Sequence, residues 1–302
     1  MATAFDTQAG FGFLRSQTAH IETQVYQTKY PDFNYAELIP VDTSADEWSK
    51  SITFYSQDEA GAAQLIAENG FDIPVVGLNR KEHESNVHMA GIGYDYTIAE
   101  VEFARRQNVN LTGDKAASAR KAYERFVYEW ALKGNAATAS EGLFSSSAVT
   151  PVAGSAWSGL TADQILEQIN DQLASIGTTT KYIEVADTLL IPRALWKVMG
   201  KRMDGTNENL FQYVQRNNLY TMETGRPLTV RGNRLLDEAG AGGVTRMVAY
   251  RRDPEVLKLH VPMAHRFMPA QLTGMRYVIP GIFRLAGLDI RLPGAVSYYD
   301  GV

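Results

Sequence analysis

The chain has 302 residues, of which 45% are hydrophobic and 21% charged, a balance typical of a folded chain long enough for two compact units. Its net charge of −5 argues against a strongly basic nucleic-acid reader, because phosphate contacts need clustered Lys and Arg. With no cysteine it has no disulfides, thiolate nucleophiles or Cys-held metal sites, a usage compatible with a reducing cytoplasm.

Residues 1–47 read as an arm rather than a domain. The opening MATAFDTQAGFGFLRSQ lacks the basic-then-apolar run of a signal peptide. Phe5, Phe11, Phe13, Tyr26, Tyr30, Phe33 and Tyr35 are scattered through polar sequence broken by Pro31 and Pro40. Leu14, Ile21 and Val25 would share one side of a short helix around Ser16 to Thr28. Disordered tails rarely carry so many aromatics, so the arm is expected to lie on another surface. Residues 48–97 read as strands around a loop: KSITFY (Lys50 to Tyr55) and NVHMAGIGYDYT (Asn86 to Thr97) carry β-branched and aromatic residues. Between them ENGFDIPVVGLNRKEHE is punctuated by Gly70, Pro74 and Gly77. Such a long two-stranded excursion is marginal alone and needs a neighbour to rest on.

A short helix, Ile98 to Gln107, leads into a long one over residues 113–133. Thr112 is its expected N-cap, Asp114 and Lys133 complement its dipole, and Gly134 supplies the left-handed stop. Ala116, Ala119, Tyr123, Phe126, Val127 and Trp130 recur at three- and four-residue steps, a single apolar stripe that requires a sheet or another subunit along it. A small, polar loop follows, with room for one strand. Thr161 then caps a helix to Ile176 whose stripe is Ile165, Leu166, Ile169 and Leu173. Thr188 to Ile191 reads as a buried strand, Arg193 to Gly200 and Asn207 to Asn217 as helices. Leu228 to Leu236, Arg246 to Tyr250 and Val256 to Val261 read as strands. The alternation over 160–265 suggests an α/β unit around a small mixed sheet. The remaining strand-like runs, broken by Gly and Pro, are expected to return beside the long helix. No segment approaches the ~20 consecutive apolar residues of a membrane span.

Signals for chemistry are weak. AGAGGVT (Ala239 to Thr245) is glycine-rich, but its spacing is not G-x-G-x-x-G and strand-like MVAYRR follows it, so a connecting loop is the better reading. His20, His83, His88, His260 and His265 offer no metal-ligand spacing: both close pairs are five apart, which places them on no shared face. No serine sits in a G-x-S-x-G elbow. Arg105–Arg106 and Arg251–Arg252 read as solvated or intersubunit basic pairs. No catalytic, cofactor-binding or metal residue is assigned.

The layout resembles the tailed-phage major capsid proteins. VYQTKYP and LIPVDTSADEW, within Ile21 to Ser56, carry most of the likeness. DTLLIP (Asp187 to Pro192), GAGGVTRMVAYRRDPEVLKLHVP (Gly240 to Pro262) and YYDGV (Tyr298 to Val302) extend it over nearly the whole chain. The resemblance implies an α+β fold of the Hong-Kong-97 type. Its parts would be an N-arm (1–47), an E-loop (48–97), a P-domain (98–158) with spine helix 113–133, an α/β A-domain (159–265) and P-domain return strands (266–302). It also implies a non-enzymatic shell subunit without cofactors, assembling as pentamers and hexamers around double-stranded DNA that it contacts non-specifically. Partners would be many copies of itself together with portal, scaffolding and decoration proteins, with no membrane, in the virion and, during assembly, the host cytoplasm. The absence of a long scaffolding segment before the arm implies a separate scaffolding protein or assembly without one. Expected interface residues are Phe11, Phe13, Tyr26, Tyr30 and Phe33 in the arm, and Val75, Val76, Leu78 and Lys81 in the E-loop. Some relatives crosslink covalently through this loop, but a lone lysine such as Lys81 is ordinarily just solvated. A cellular nanocompartment shell of the same fold, and a phosphate-binding α/β enzyme using Gly240 to Gly243, are the alternative readings.

Overall fold

The strands TLLIP, RMVAY and VSYYD are rich in β-branched and aromatic residues and are buried on both faces, which makes them the natural centre of a sheet. The computed structural model describes residues 33–60, 75–107 and 112–302, without the side chains of 58–60, 103–107 and 112–114. From Phe33 the chain forms one helical turn, α1 (Tyr35–Leu38), and a short strand, β1 (Val41–Asp42). Two long strands follow, β2 (Ser51–Ala60) and β3 (Gly77–Asn86), then β4 (His88–Gly91) and β5 (Tyr94–Thr97). Helix α2 (Ile98–Gln107) leads to α3 (Thr112–Lys133) and a miniature ribbon, β6 (Gly134–Asn135) with β7 (Ser140–Glu141). Next come β8 (Pro151–Ala153), α4 (Ala162–Thr179), β9 (Thr188–Pro192), α5 (Leu210–Arg216) and α6 (Leu219–Thr224). Strands β10 (Thr229–Asn233), β11 (Arg246–Tyr250), β12 (Leu257–His260), β13 (Met263–Phe267) and β14 (Gln271–Thr273) follow. The last four are β15 (Arg276–Ile279), β16 (Gly281–Leu285), β17 (Gly287–Ile290) and β18 (Val296–Asp300).

The central sheet has the order β10-β9-β11-β18-β8. Strand β10 runs parallel to β9, β11 antiparallel to both β9 and β18, and β8 parallel to β18. Side chains alternate across a strand, and here each side of the alternation enters a different core. Leu190, Val248, Tyr250, Val296 and Tyr298 join the cluster with Tyr123, Val127, Tyr128 and Ala131 of α3. Leu189, Ile191, Met247, Ala249 and Tyr299 join the cluster with Ile165, Ile169, Leu173 and Ile176 of α4. The sheet is therefore covered by α3 on one face and by α4, together with Leu210 and Val214 of α5, on the other. Gln172 of α4, fully buried, donates its amide to the carbonyls of Met247 and Ser297 and so joins α4 to two adjacent strands.

Both long helices form where the periodicity predicts. In α3 Ala119, Tyr123, Val127 and Trp130 are buried, while Phe126 sits at the margin, its ring edge-on to Trp130 and Phe283. Tyr128, Ala131 and Leu132 widen the stripe at the C-terminal end, because the chain folds straight back on it: Leu143 and Phe144 donate to the carbonyls of Ala131 and Leu132. That return requires glycine. Gly134 has φ +78°, and a Cβ on Gly142 would lie 2.3 Å from the Gly134 nitrogen. The capping roles expected of Thr112 and Asp114 fall outside the described side chains, as does the helix expected over residues 16–28. Helix α4 begins as expected at Thr161, with a complete capping box to Gln164.

Three small sheets continue from this body: β1-β12-β17, β13-β16-β4 and β14-β15-β5. Several findings differ from the sequence expectation: the strand expected over Asn86 to Thr97 divides into β4 and β5 in different sheets, and that expected over Leu228 to Leu236 ends at Asn233 and continues as a 3-10 turn, Arg234–Glu238. Gly77–Glu84, which the pattern places in a loop, belongs to a full strand, Gly77–Asn86, paired residue for residue with Ser51–Ala60. Arg193–Gly200 is a 3-10 helix rather than an α-helix. The strand β18, within the expected return segment, is an inner strand of the central sheet, between β11 and β8.

Candidate intersubunit surfaces

The β2–β3 ribbon has ten residue pairs, from Ser51 with Asn86 to Ala60 with Gly77. At about 3.4 Å per residue it extends for roughly 30 Å. Among the described residues the ribbon is anchored at its root. Phe54 and His83 stack with centroids 4.7 Å apart, and the Arg291 guanidinium lies over the other side of the Phe54 ring at 5.0 Å. Ser56 and His83 share a 2.9 Å hydrogen bond, and Ser85 donates to Asp289 of β17. Beyond His83 toward the turn, β3 is exposed along its length. That explains why GLNRKEHESN lacks the alternation that marks a half-buried strand.

The residues at the outer end of the described ribbon are apolar and exposed. Val75 is 87% exposed, Val76 68% and Leu78 60%. Lys81 is also exposed, in a ribbon whose cations include Arg80, stacked over Tyr55 at 5.4 Å. Of the arm anchors, Phe11, Phe13, Tyr26 and Tyr30 lie outside the described residues. Phe33 packs on its own body, its ring edge-on to Tyr128 of α3 at 5.5 Å. It marks the point where arm becomes subunit: Tyr250 Oη donates to the Leu38 carbonyl, Arg252 to that of Ala36, and Glu37 pairs with Arg231.

Sequence reading misses two further exposed apolar groups. Leu272 and Met275 crown the β14–β15 turn, where Gly274 takes φ +62°. Tyr182 and Ile183 project after α4 from a turn in which Lys181 and Tyr182 both have positive φ. Leu-Thr-Gly-Met was a legible turn signal, but nothing in Thr-Lys-Tyr-Ile announces two left-handed non-glycine residues.

Signs of chemistry are sparse. Gly240–Val244 closes on itself, Gly240 donating to the Val244 carbonyl and Gly243 to that of Gly240, and it leads into β11 rather than a helix. Among the described residues no group of three or more His, Asp or Glu is placed to hold a metal ion, and no helix is long and apolar enough to cross a membrane. Burial raises the phenols of Tyr123, Tyr250 and Tyr298 far above their ordinary range, so these rings stay neutral and serve the core.

A sheet covered on both faces by helices, continued by small sheets and carrying a long two-stranded ribbon with exposed apolar residues at its described end, has the Hong-Kong-97-type capsid fold. Solved structures that share it include capsids and a virus-like particle. The capsid of Myoviridae phage XM1 superposes with a TM-score of 0.80 at 18% identity, covering 95% of this chain and 98% of that one. The capsid of an empty GTA particle gives 0.61 at 8% identity, with 99% of each chain covered. A virus-like particle from Pyrococcus furiosus gives 0.56 at 14% identity, covering 87% and 90%. No curated protein matches the chain. The chain belongs to the family described as major capsid protein, which matches residues 61–302. As a member of that family it is a structural subunit of a capsid-type shell.

Proposed function

We propose that this chain assembles as pentamers and hexamers into an icosahedral head shell that encloses double-stranded DNA. The observation that carries this reading is the ribbon tip. Three large aliphatic side chains held at the end of a polar two-stranded ribbon are costly for a monomer, yet burying each contributes ~1.5–3 kcal/mol once a partner covers it. In this reading the arm anchors Phe11, Phe13, Tyr26 and Tyr30 and the tip residues Val75, Val76, Leu78 and Lys81 meet neighbouring copies, in interfaces of ~2,000 Å² or more. Residues 48–97 act as the E-loop, 98–158 and 266–302 as the P-domain, and 159–265 as the A-domain. The acidic balance suits enclosure of DNA rather than a tight grip on it, since its 29 Lys and Arg are outnumbered by 34 Asp and Glu. Portal, scaffolding and decoration proteins are the further partners, and assembly takes place in the host cytoplasm.

Negative-stain microscopy and sedimentation of the purified chain, alone and with the other head proteins of its genome, test the proposal. Closed shells with five- and six-fold clusters that protect DNA from nuclease are the expected result. A chain that stays monomeric in every mixture overturns it. A second reading is the shell of a cellular protein compartment; nuclease-resistant DNA inside the particles rules that out. The phosphate-enzyme alternative predicts a melting temperature that rises with nucleotide.

A further inference from the structure

Aspartate is followed by glycine at Asp204–Gly205 and at Asp300–Gly301, and the fold treats the two pairs in opposite ways. Asp300 is locked. Its carboxylate accepts from Arg246 at 2.6 and 2.7 Å and from the Ala241 amide, and the Gly301 amide donates to the Thr245 carbonyl at 2.8 Å. Asp204 is free. It and Gly205 are the exposed centre of a turn between the 3-10 helix Arg193–Gly200 and α5. That turn is closed by one long bond, from the Thr206 amide to the Met203 carbonyl at 3.4 Å. Among the described residues neither the Asp204 carboxylate nor the Gly205 amide has a hydrogen-bond partner. Gly205 takes φ +77°, and nothing lies within 4 Å of where its Cβ would stand. A cleft of about 400 Å³ bordered by Arg202 to Asn207 brings water to both residues.

The backbone nitrogen that follows an aspartate can attack that residue's own side-chain carbon. A Cβ on the following residue hinders the approach, and glycine has none. We propose that Asp204–Gly205 is a site of spontaneous isomerisation, where the main chain passes from the α- to the β-carboxyl of the aspartate, and that Asp300–Gly301 is spared. The Gly205 nitrogen bonds to Asp204 Cγ and gives up its proton. One carboxylate oxygen departs as water, with that proton and a second from solvent. The five-membered imide then takes up water and returns one proton. Breaking the new Cγ–N bond restores aspartate. Breaking the original C–N bond instead frees the α-carboxylate and leaves the chain running through Cβ and Cγ to Gly205. Water is lost and regained, and no oxidant, reductant or cofactor takes part. The β-linked chain is longer by one backbone atom, which does not fit the Met203–Thr206 turn. The change therefore loosens a loop whose first residue, Met203, is seated in the core beside α4. At the other pair Asp300 must first leave Arg246, and Gly301 must leave Thr245. This is a property of one subunit and holds whatever the subunit assembles into.

The test incubates the purified full chain over weeks at neutral pH, folded and, in parallel, in guanidinium chloride. Trypsin cuts after Arg202 and Arg291, so Asp204 and Asp300 fall in different peptides. Asn69–Gly70, which forms the same linkage with loss of ammonia, falls in a third. Electron-transfer fragmentation of each peptide locates and counts the isoaspartate. In the folded chain Asp204 is expected to convert at least about tenfold faster than Asp300, because a charge-assisted pair and a backbone bond must open before Asp300 reacts. In guanidinium both sites are exposed dipeptides of one kind, so their rates should come within about threefold of each other. Equal conversion at the two sites in the folded chain overturns the proposal. So does an Asp204 that stays unconverted there, or a difference that persists undiminished in guanidinium.

Discussion

Two acidic side chains show how differently charge works inside this subunit. Asp42 is held down to about 2, first by the Ser44 hydroxyl, then by the Ser44 amide, with His260 and Lys258 adding to it. A carboxyl lower in the folded than in the unfolded state stabilises above about pH 4 and loses that contribution as the pH falls toward 2. Solvent screening keeps the effect to about 1 kcal/mol. Urea unfolding of Asp42→Asn should therefore show a shallower acid limb between pH 4 and 2 than the parent. Asp300 is a stronger case. It stands opposite Arg246 across β11 and β18 and accepts from its Nε at 2.6 Å and its Nη2 at 2.7 Å. The same guanidinium donates to the Phe144 carbonyl and lies 4.6 Å from the centre of the Tyr298 ring. Asp300→Ala leaves a buried cation without its anion, so denaturation should report a loss of about 3–5 kcal/mol.

Among the elements, α4 offers the simplest check. Thr161→Ala removes one half of the capping box and should cost about 1 kcal/mol by thermal or chemical unfolding. The helices and the strands β9 and β11 were legible because each has a strong local signature: a 3.6-residue stripe, or a run apolar on both faces. The partners of the strands were not. The sequence of β18 marks a strand, but nothing local in VSYYD says that it lies between β11 and β8. Strand β3 was illegible for a related reason. Neither of its faces enters a core, so no selection for alternation acts on residues 77–82, and only the stacking of His83 on Phe54 betrays the ribbon. Its apolar tip was visible as Val-Val-x-Leu within polar sequence, whereas the turn of Tyr182 depends on backbone angles that the residue types do not declare.

For the whole molecule, stability and assembly should separate cleanly. Deleting residues 1–32 leaves the described body from Phe33 onward; circular dichroism should show an unchanged melt while sedimentation shows few particles. Loss of the melting transition would mean that the arm completes the body's own core. Changing Val75, Val76 and Leu78 together to Ser touches exposed positions only, so unfolding free energy should move by no more than about 0.5 kcal/mol per site, with particle yield falling sharply. The pairing of β18 with β8 carries another consequence, which concerns time rather than contacts. Tyr298 meets Pro151 across about 150 residues of intervening chain. Until β18 arrives, β11 keeps an open hydrogen-bonding edge, and the apolar faces of α3 and α4 are only partly covered. Such a chain folds slowly and is prone to pair its edge with that of another chain, so its refolding yield should fall steeply with protein concentration.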